Sequence, residues 1–319
     1  MKHILKKILT LIITLFIVSV ATFLVFQIIP GDAVSSILGT EATPERETEL
    51  RQELGLDKPV TIRYINWIGG VLQGNLGKSY RYSEHMNEMM SVSKLIGDKL
   101  PVTLWLAALS VILIVLISLP LGVLWARSKN KYLDALFGVI TQISMAVPSF
   151  FLGILIIYIF GLVLKLFTPG KYISYQTDFW GFIKYLMFPA LAIAIPKIAM
   201  LARFLRSSML EELKLDYVRT AYSKGNDNRR VMYCHVLKNA MIPVITVVGM
   251  IIAEVVAGSI VVEQVFGLPG VGRLLVSSIA TRDFPVVQIL VLYIAFVVIF
   301  VYFIVDILYR VIDPRISGK

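Results

Sequence analysis

The pattern nearest to a catalytic signature in this chain is Leu76-Gly77-Lys78-Ser79, the closing half of a phosphate-binding loop. A complete loop needs its first glycine at position 72, where Leu72 stands, so the turn that would cradle phosphates is missing. No His-Glu-x-x-His pair, Gly-x-Ser-x-Gly elbow or suitably spaced pair of carboxylates occurs either. The histidines His3, His85 and His235 are too scattered for a zinc site, and Cys234 is the sole cysteine, which excludes an internal disulfide. Asp32, Asp98 and Asp178 are isolated and read as solvated loop carboxylates. The expectation is a chain with no catalytic residue, no metal ligands and no cofactor of its own.

Ionisable residues inside apolar stretches carry more information. Glu254 falls about 20 Å into an apolar block at the 1.5 Å helical rise. A charge at that depth is expensive unless it faces a polar cavity or a partner. It is therefore a candidate for lining a pathway, or else a protonated or paired structural group. Lys197 is expected to snorkel toward the inner surface. Asp306 and Arg310 stand at i,i+4 and read as a structural pair. Gly249, Ala253 and Ala257 recur at i+4, the small-xxx-small spacing that permits close helix approach.

These residues require membrane-spanning helices to position them. Of 319 residues, 57% are hydrophobic and 16% charged, against roughly 45–50% and about 25% in soluble domains. The apolar residues gather into six blocks of membrane-spanning length: 8–29, 100–126, 135–164, 183–201, 241–262 and 286–309. The fourth is interrupted by Pro189, Pro196 and Lys197, which membrane helices tolerate when neighbours satisfy the freed carbonyls. The first follows Lys2, Lys6 and Lys7 but ends in Phe26-Gln27-Ile28-Ile29-Pro30-Gly31, without a small-x-small cleavage site, so it reads as a retained helix. With six spans, the basic flanks of the first, second, fourth and sixth blocks share one side, which is therefore cytoplasmic, as are both termini. The net charge of +10 reports topology and contact with anionic lipid. No basic stripe interleaved with aromatics points to nucleic acid.

Three segments between the blocks are distinctive. Residues 31–99 are too polar to span and form an outer cap. Within it, Thr43 and Pro44 start a helix with Glu45, Glu47 and Glu49 in its first turns, Gly55 ends it, and residues 60–72 form an amphipathic piece carrying Tyr64 and Trp67. Residues 263–285 hold Gly267-Leu268-Pro269-Gly270-Val271-Gly272, which breaks regular helix and folds as a tight or re-entrant loop. Residues 207–240 read as a helix capped at Ser207 or Ser208, a break at Gly225-Asn226-Asp227, and a second short helix. That exceeds what joining two spans needs, and it fits a cytoplasmic docking surface. The residues alone leave open a channel, a carrier, a receptor or a transporter subunit.

Asp216-Tyr217-Val218-Arg219-Thr220-Ala221-Tyr222-Ser223-Lys224-Gly225 resembles the coupling-loop motif of permease subunits in binding-protein-dependent ABC importers. More narrowly it is similar to the dipeptide/oligopeptide/nickel permease family, and to the first of its two paired permeases. Arg229-Arg230 and Leu237-Lys238-Asn239-Ala240-Met241-Ile242-Pro243 continue the pattern. So do Pro30-Gly31-Asp32, Leu54-Gly55-Leu56-Asp57-Lys58-Pro59, Gly74-Asn75-Leu76-Gly77-Lys78-Ser79, the last outer loop in Glu263-Gln264-Val265-Phe266-Gly267-Leu268-Pro269-Gly270-Val271-Gly272 and Arg282-Asp283-Phe284-Pro285-Val286-Val287-Gln288, and Asp313-Pro314-Arg315. Arg219-Thr220 replaces the Glu-Ala of the broader importer motif, and Tyr222 and Cys234 stand where a basic residue is common.

The resemblance implies an all-α membrane protein of type I importer architecture with six transmembrane helices. Its segments are an N-terminal helix (1–30), the cap (31–99), a five-helix core (100–309) and a cytoplasmic tail (310–319). It implies a bacterial or archaeal inner-membrane location and a non-catalytic subunit that forms the path for di- or oligopeptides, with nickel or a metal chelate as the alternative cargo. Implied partners are a second homologous permease, two ABC ATPases that carry the ATP and Mg, an extracytoplasmic solute-binding protein and the bilayer. Implied ATPase-coupling residues are Asp216, Tyr217, Arg219, Thr220, Ala221, Lys224, Gly225, Arg229 and Arg230. Glu263, Pro269, Gly270 and Asp283 mark the outer-loop motif, and Glu254 is the candidate pathway residue.

Overall fold

A computed structural model describes residues 2–28, 34, 43–53, 55–85 and 88–312. The motifs at Pro30-Gly31-Asp32 and Asp313-Pro314-Arg315, and the position of Leu54, lie outside the described residues, as do the side chains of the expected Asp306–Arg310 pair. Five described helices are long and apolar enough to cross a membrane, or up to seven spans if each of two broken helix pairs is counted as one. The chain divides into two compact units, Met1–Val102 with Pro269–Ile299, and Thr103–Leu268 with Phe300–Lys319.

In the first unit, the apolar run after Lys2 forms α1 (Lys2–Ile28). The polar stretch behind Thr43 forms α2 (Pro44–Glu53), closed by Gly55 at φ +65° and by Leu56 N–H donating to the Arg51 carbonyl at 2.8 Å. The amphipathic piece is α3 (Val60–Leu72). It meets α1 through its polar-aromatic side. Tyr64 Oη and Ser19 Oγ lie 2.8 Å apart, Arg63 donates to Gln27 at 3.0 Å, and Phe23 packs against the rings of Tyr64 and Trp67. Gly77, at φ +84°, leads into β1 (Lys78–His85), which pairs antiparallel with β2 (Glu88–Ser91), Lys78 opposite Ser91. This ribbon is an addition to the all-α expectation. Helix α4 (Val92–Arg127) begins directly after β2. The unit also holds α11 (Val271–Ala280) and the first part of α12 (Phe284–Ile312).

The second unit is built around α7 (Phe179–Glu212), which packs on α5 (Lys131–Ala146), α6 (Ser149–Ile156) and α10 (Leu237–Phe266). The third apolar block is thus not one helix. It bends by 97° between α5 and α6 because Pro148 holds Val147 in extended conformation, at ψ 122°. Helix α6 passes into a π-helical stretch, Ile157–Val163. There a Cβ on Gly161 would meet the Pro169 ring at 2.7 Å, and Phe167 stacks on Phe188 with ring centres 4.2 Å apart. Helix α7 has 34 residues, about 51 Å, and so outruns a hydrocarbon layer of about 30 Å. It runs straight through Ser207 and Ser208, where a new helix was expected to start. Ser208 is buried and donates to the Ala240 carbonyl at 3.1 Å instead of capping.

Candidate functional site

Beyond α7 the chain turns at Leu213-Lys214 and forms α8 (Asp216–Ser223), a glycine turn, and the single helical turn α9 (Asn228–Arg230). A π-helical stretch, Val231–Val236, then continues into α10. Helix α8 is amphipathic. Val218 and Ala221 are buried, and beneath them lie buried Val231, Met232 and Val236 of the π stretch. The opposite side of α8 and the turn expose Asp216, Arg219, Thr220, Tyr222, Lys224 and Gly225, and Arg229 and Arg230 are exposed on the next turn.

Local chemistry fixes the turn. Gly225 sits at φ +81°, a left-handed conformation that glycine adopts without cost, and a Cβ there would meet nothing within 4 Å. Asn226 Nδ2 donates to the Ala221 carbonyl at 2.9 Å, and Tyr222 Oη donates to Asn228 Oδ1 at 2.8 Å. Asp227 caps α9 by accepting from Arg230 N–H at 3.2 Å. Tyr217 donates to the Glu212 carboxylate, and Arg219 lies 3.5 Å from Asp216. Burial, then the hydrogen bond to Glu212, pushes the Tyr217 phenol above its ordinary range, with Asn239 opposing. The nine expected coupling residues therefore share one hairpin. Eight of them are wholly or partly accessible, and Ala221 anchors it from beneath.

Two of the outer motifs meet within the first unit. Asp283 is fully buried, and its carboxylate accepts from the Ser79 hydroxyl and, at 3.0 Å, from Tyr80 N–H. Ser79 Oγ in turn accepts from Tyr82 N–H at 2.9 Å. Arg81 Nε donates to the Thr281 carbonyl at 3.0 Å. The residue that tempted a phosphate-loop reading thus ties the ribbon to the loop between α11 and α12. Burial, then the neighbouring Asp283 charge, raises the Tyr80 phenol, with Arg63 opposing. Pro269 and Gly270 precede α11, with Gly270 extended at its N-cap. In the second unit, Glu263 is fully buried and accepts from Thr103 Oγ1 at 2.7 Å. The helix end just after it is closed by Gly267 in left-handed conformation, with Leu268 N–H donating to the Glu263 carbonyl at 2.9 Å.

Glu254 does not stand alone. Its carboxylate pairs with Lys197 of α7, so the Lys197 ammonium has a partner on α10. A second polar cluster escaped the sequence reading. Asp134 accepts from Trp125 Nε1 at 2.7 Å and from Arg206 Nη2 at 2.6 Å, while the Arg206 guanidinium lies over the Trp125 ring. It pins α4, α5 and α7 together. Nothing in the spacing of these three residues signals their contact. Among the described residues, no three His, Cys, Asp or Glu side chains gather as a metal site.

The fold has a solved counterpart. A chain from the crystal structure of an amino acid ABC transporter with histidines superposes with a TM-score of 0.53 at 19% identity, covering 68% of this chain and 94% of that one. Full-length relatives are closer in sequence. A putative peptide transport system permease protein of Brucella abortus is 37% identical over 313 residues, 98% of each chain. A probable peptide ABC transporter permease protein of Sinorhizobium fredii is 33% identical over 314 residues, again 98% of each. The dipeptide transport system permease protein of Lactococcus lactis is 33% identical over 315 residues, 99% of each. The family model for the inner membrane component of binding-protein-dependent transport systems matches residues 118–318, and the model for its N-terminal part matches residues 1–107. The chain belongs to the family of binding-protein-dependent transport system inner membrane components.

Proposed function

We propose that this chain forms the translocation path for di- or oligopeptides in an ATP-driven importer, working with a second permease, two ABC ATPases and an external solute-binding protein. It is a non-catalytic, multi-pass inner-membrane subunit, and ATP and Mg belong to the ATPases. Peptide is the cargo named for the relatives that match it along nearly their whole length. The observation that carries the reading is the hairpin at 213–236, between α7 and α10. It is clamped to the helix bundle by Val218, Ala221 and the π stretch, and it offers an exposed basic-polar face around an unobstructed Gly225.

ATPase closure pushes on Asp216, Tyr217, Arg219, Thr220, Lys224, Gly225, Arg229 and Arg230. Because the π stretch is continuous with α10, a push on the hairpin is a push on a membrane helix. Six membrane crossings put this face in the cytoplasm. The cap at 31–99 and the loop at 263–285, held by Asp283 and Glu263, receive the binding protein. Glu254 lines the path.

Purification of the intact membrane complex tests this reading. A second permease, two ATPases and a binding protein loaded with peptide are expected. Uptake by this polypeptide with no ATPase present, or a binding protein loaded with a nickel chelate, would overturn it.

A further inference from the structure

Lys197 and Glu254 form an ion pair between α7 and α10, both membrane-spanning helices. Lys197 and Glu254 fall inside the apolar blocks at 183–201 and 241–262, within the hydrocarbon depth and not in a flanking loop. The pair is not enclosed by this chain: the side chains are 27% and 43% exposed. Glu254 also stands clear of the packed faces of α10. Ile251, Ala253 and Val255 are buried, and Gly249, about 140° round the helix, is pressed against Val305 of α12. Met250 and Val261 continue the exposed stripe at i−4 and i+7. An open pair of charges at this depth is unfavourable against lipid and favourable against a water-filled passage.

We propose that Lys197 and Glu254 are a charge-recognition subsite in the path for a zwitterionic substrate, one with a free ammonium and a free carboxylate. The proposal rests on the path reading above. The pair is itself a positive and a negative group closed on each other. A zwitterion exchanges with it charge for charge: the substrate ammonium takes Glu254, the substrate carboxylate takes Lys197, and no charge is left unpaired within the membrane. A substrate lacking one terminal charge breaks that balance.

The test uses the whole complex with its binding protein in proteoliposomes, and trialanine as probe. Glu254→Cys in a Cys234→Ser chain should react with a water-soluble cationic thiol reagent, read by mass on this chain. Glu254→Gln should lower trialanine uptake per ATP hydrolysed at least fivefold, while ATP hydrolysis stimulated by the loaded binding protein stays within twofold. Glu254→Asp should restore uptake. Lys197→Gln should lower uptake of trialanine but spare trialanine amide, which has no carboxylate. An unreactive cysteine, meaning a pair sealed by lipid or the second permease, overturns the proposal. So does unchanged uptake per ATP, or an equal fall in uptake and hydrolysis. Failure of the broader reading looks different, because the unsubstituted complex itself would then lack stimulated hydrolysis.

Discussion

Asp283 shows how a single buried carboxylate joins the ribbon to the loop before α12. It holds the Ser79 hydroxyl and Tyr80 N–H, and bonds to a charged acceptor contribute roughly 1.5–3 kcal/mol. Asp283→Asn should therefore destabilise the ribbon by about 2 kcal/mol. The measure is faster proteolysis within residues 78–91 and weaker stimulation of ATP hydrolysis by the binding protein. In the hairpin, Tyr217 has its phenol raised above 10.0 by burial and by its bond to Glu212. A raised folded-state value means that this contribution is complete below pH 10 and lost as pH rises beyond it. Between about pH 7 and 9 the Tyr217 phenol stays protonated, so its ionisation should not alter stimulated ATP hydrolysis, and the hairpin should become protease-sensitive only in stronger alkali. Substituting Tyr217→Phe should remove that alkaline sensitivity. A midpoint near neutrality that vanishes in the same variant would contradict the assignment.

Among the elements, α8 is a short helix that contacts the π stretch, and Ala221 is one of its two buried residues. Ala221→Leu overpacks that contact, costing about 1–3 kcal/mol. It should reduce stimulated ATP hydrolysis without reducing binding-protein attachment, measured by pull-down. The elements differ in how legible they were. Helix α3 could be read from residue 60 to residue 72 because its polar-aromatic side and its aliphatic side alternate at helical spacing. The glycine turn at Gly225 was equally plain. The 97° break in the third block was not, since residues 135–164 are apolar on both sides of Pro148 and prolines elsewhere, such as Pro189 and Pro196, sit inside an unbroken helix. The π stretches leave no mark in hydrophobic spacing. The ribbon was hidden because Lys78–His85 is polar and its pairing is bulged. The Lys197–Glu254 and Asp134–Arg206 contacts join distant positions, which no local pattern encodes.

For the molecule as a whole, the account requires the hairpin and the cap to lie on opposite sides of the membrane. Cys234, exposed on the π stretch beside the hairpin, is a natural reporter. A membrane-impermeant maleimide should label it in inside-out vesicles and leave it unmodified in intact cells, and labelling from outside would invert the topology. The more demanding requirement is that the hairpin transmits a nucleotide cycle it does not itself perform. Gly225 isolates that function, because the space around it is open within this chain and only a docked partner would fill it. Gly225→Ala should cost about 1 kcal/mol through its positive φ and retain coupling. Gly225→Trp bears the same backbone strain plus a bulk that meets the ATPase. The deciding measurement is ATP hydrolysis stimulated by the loaded binding protein in the reconstituted complex. The account predicts that Gly225→Trp abolishes stimulation while Gly225→Ala keeps most of it, and full stimulation with tryptophan at position 225 would contradict it.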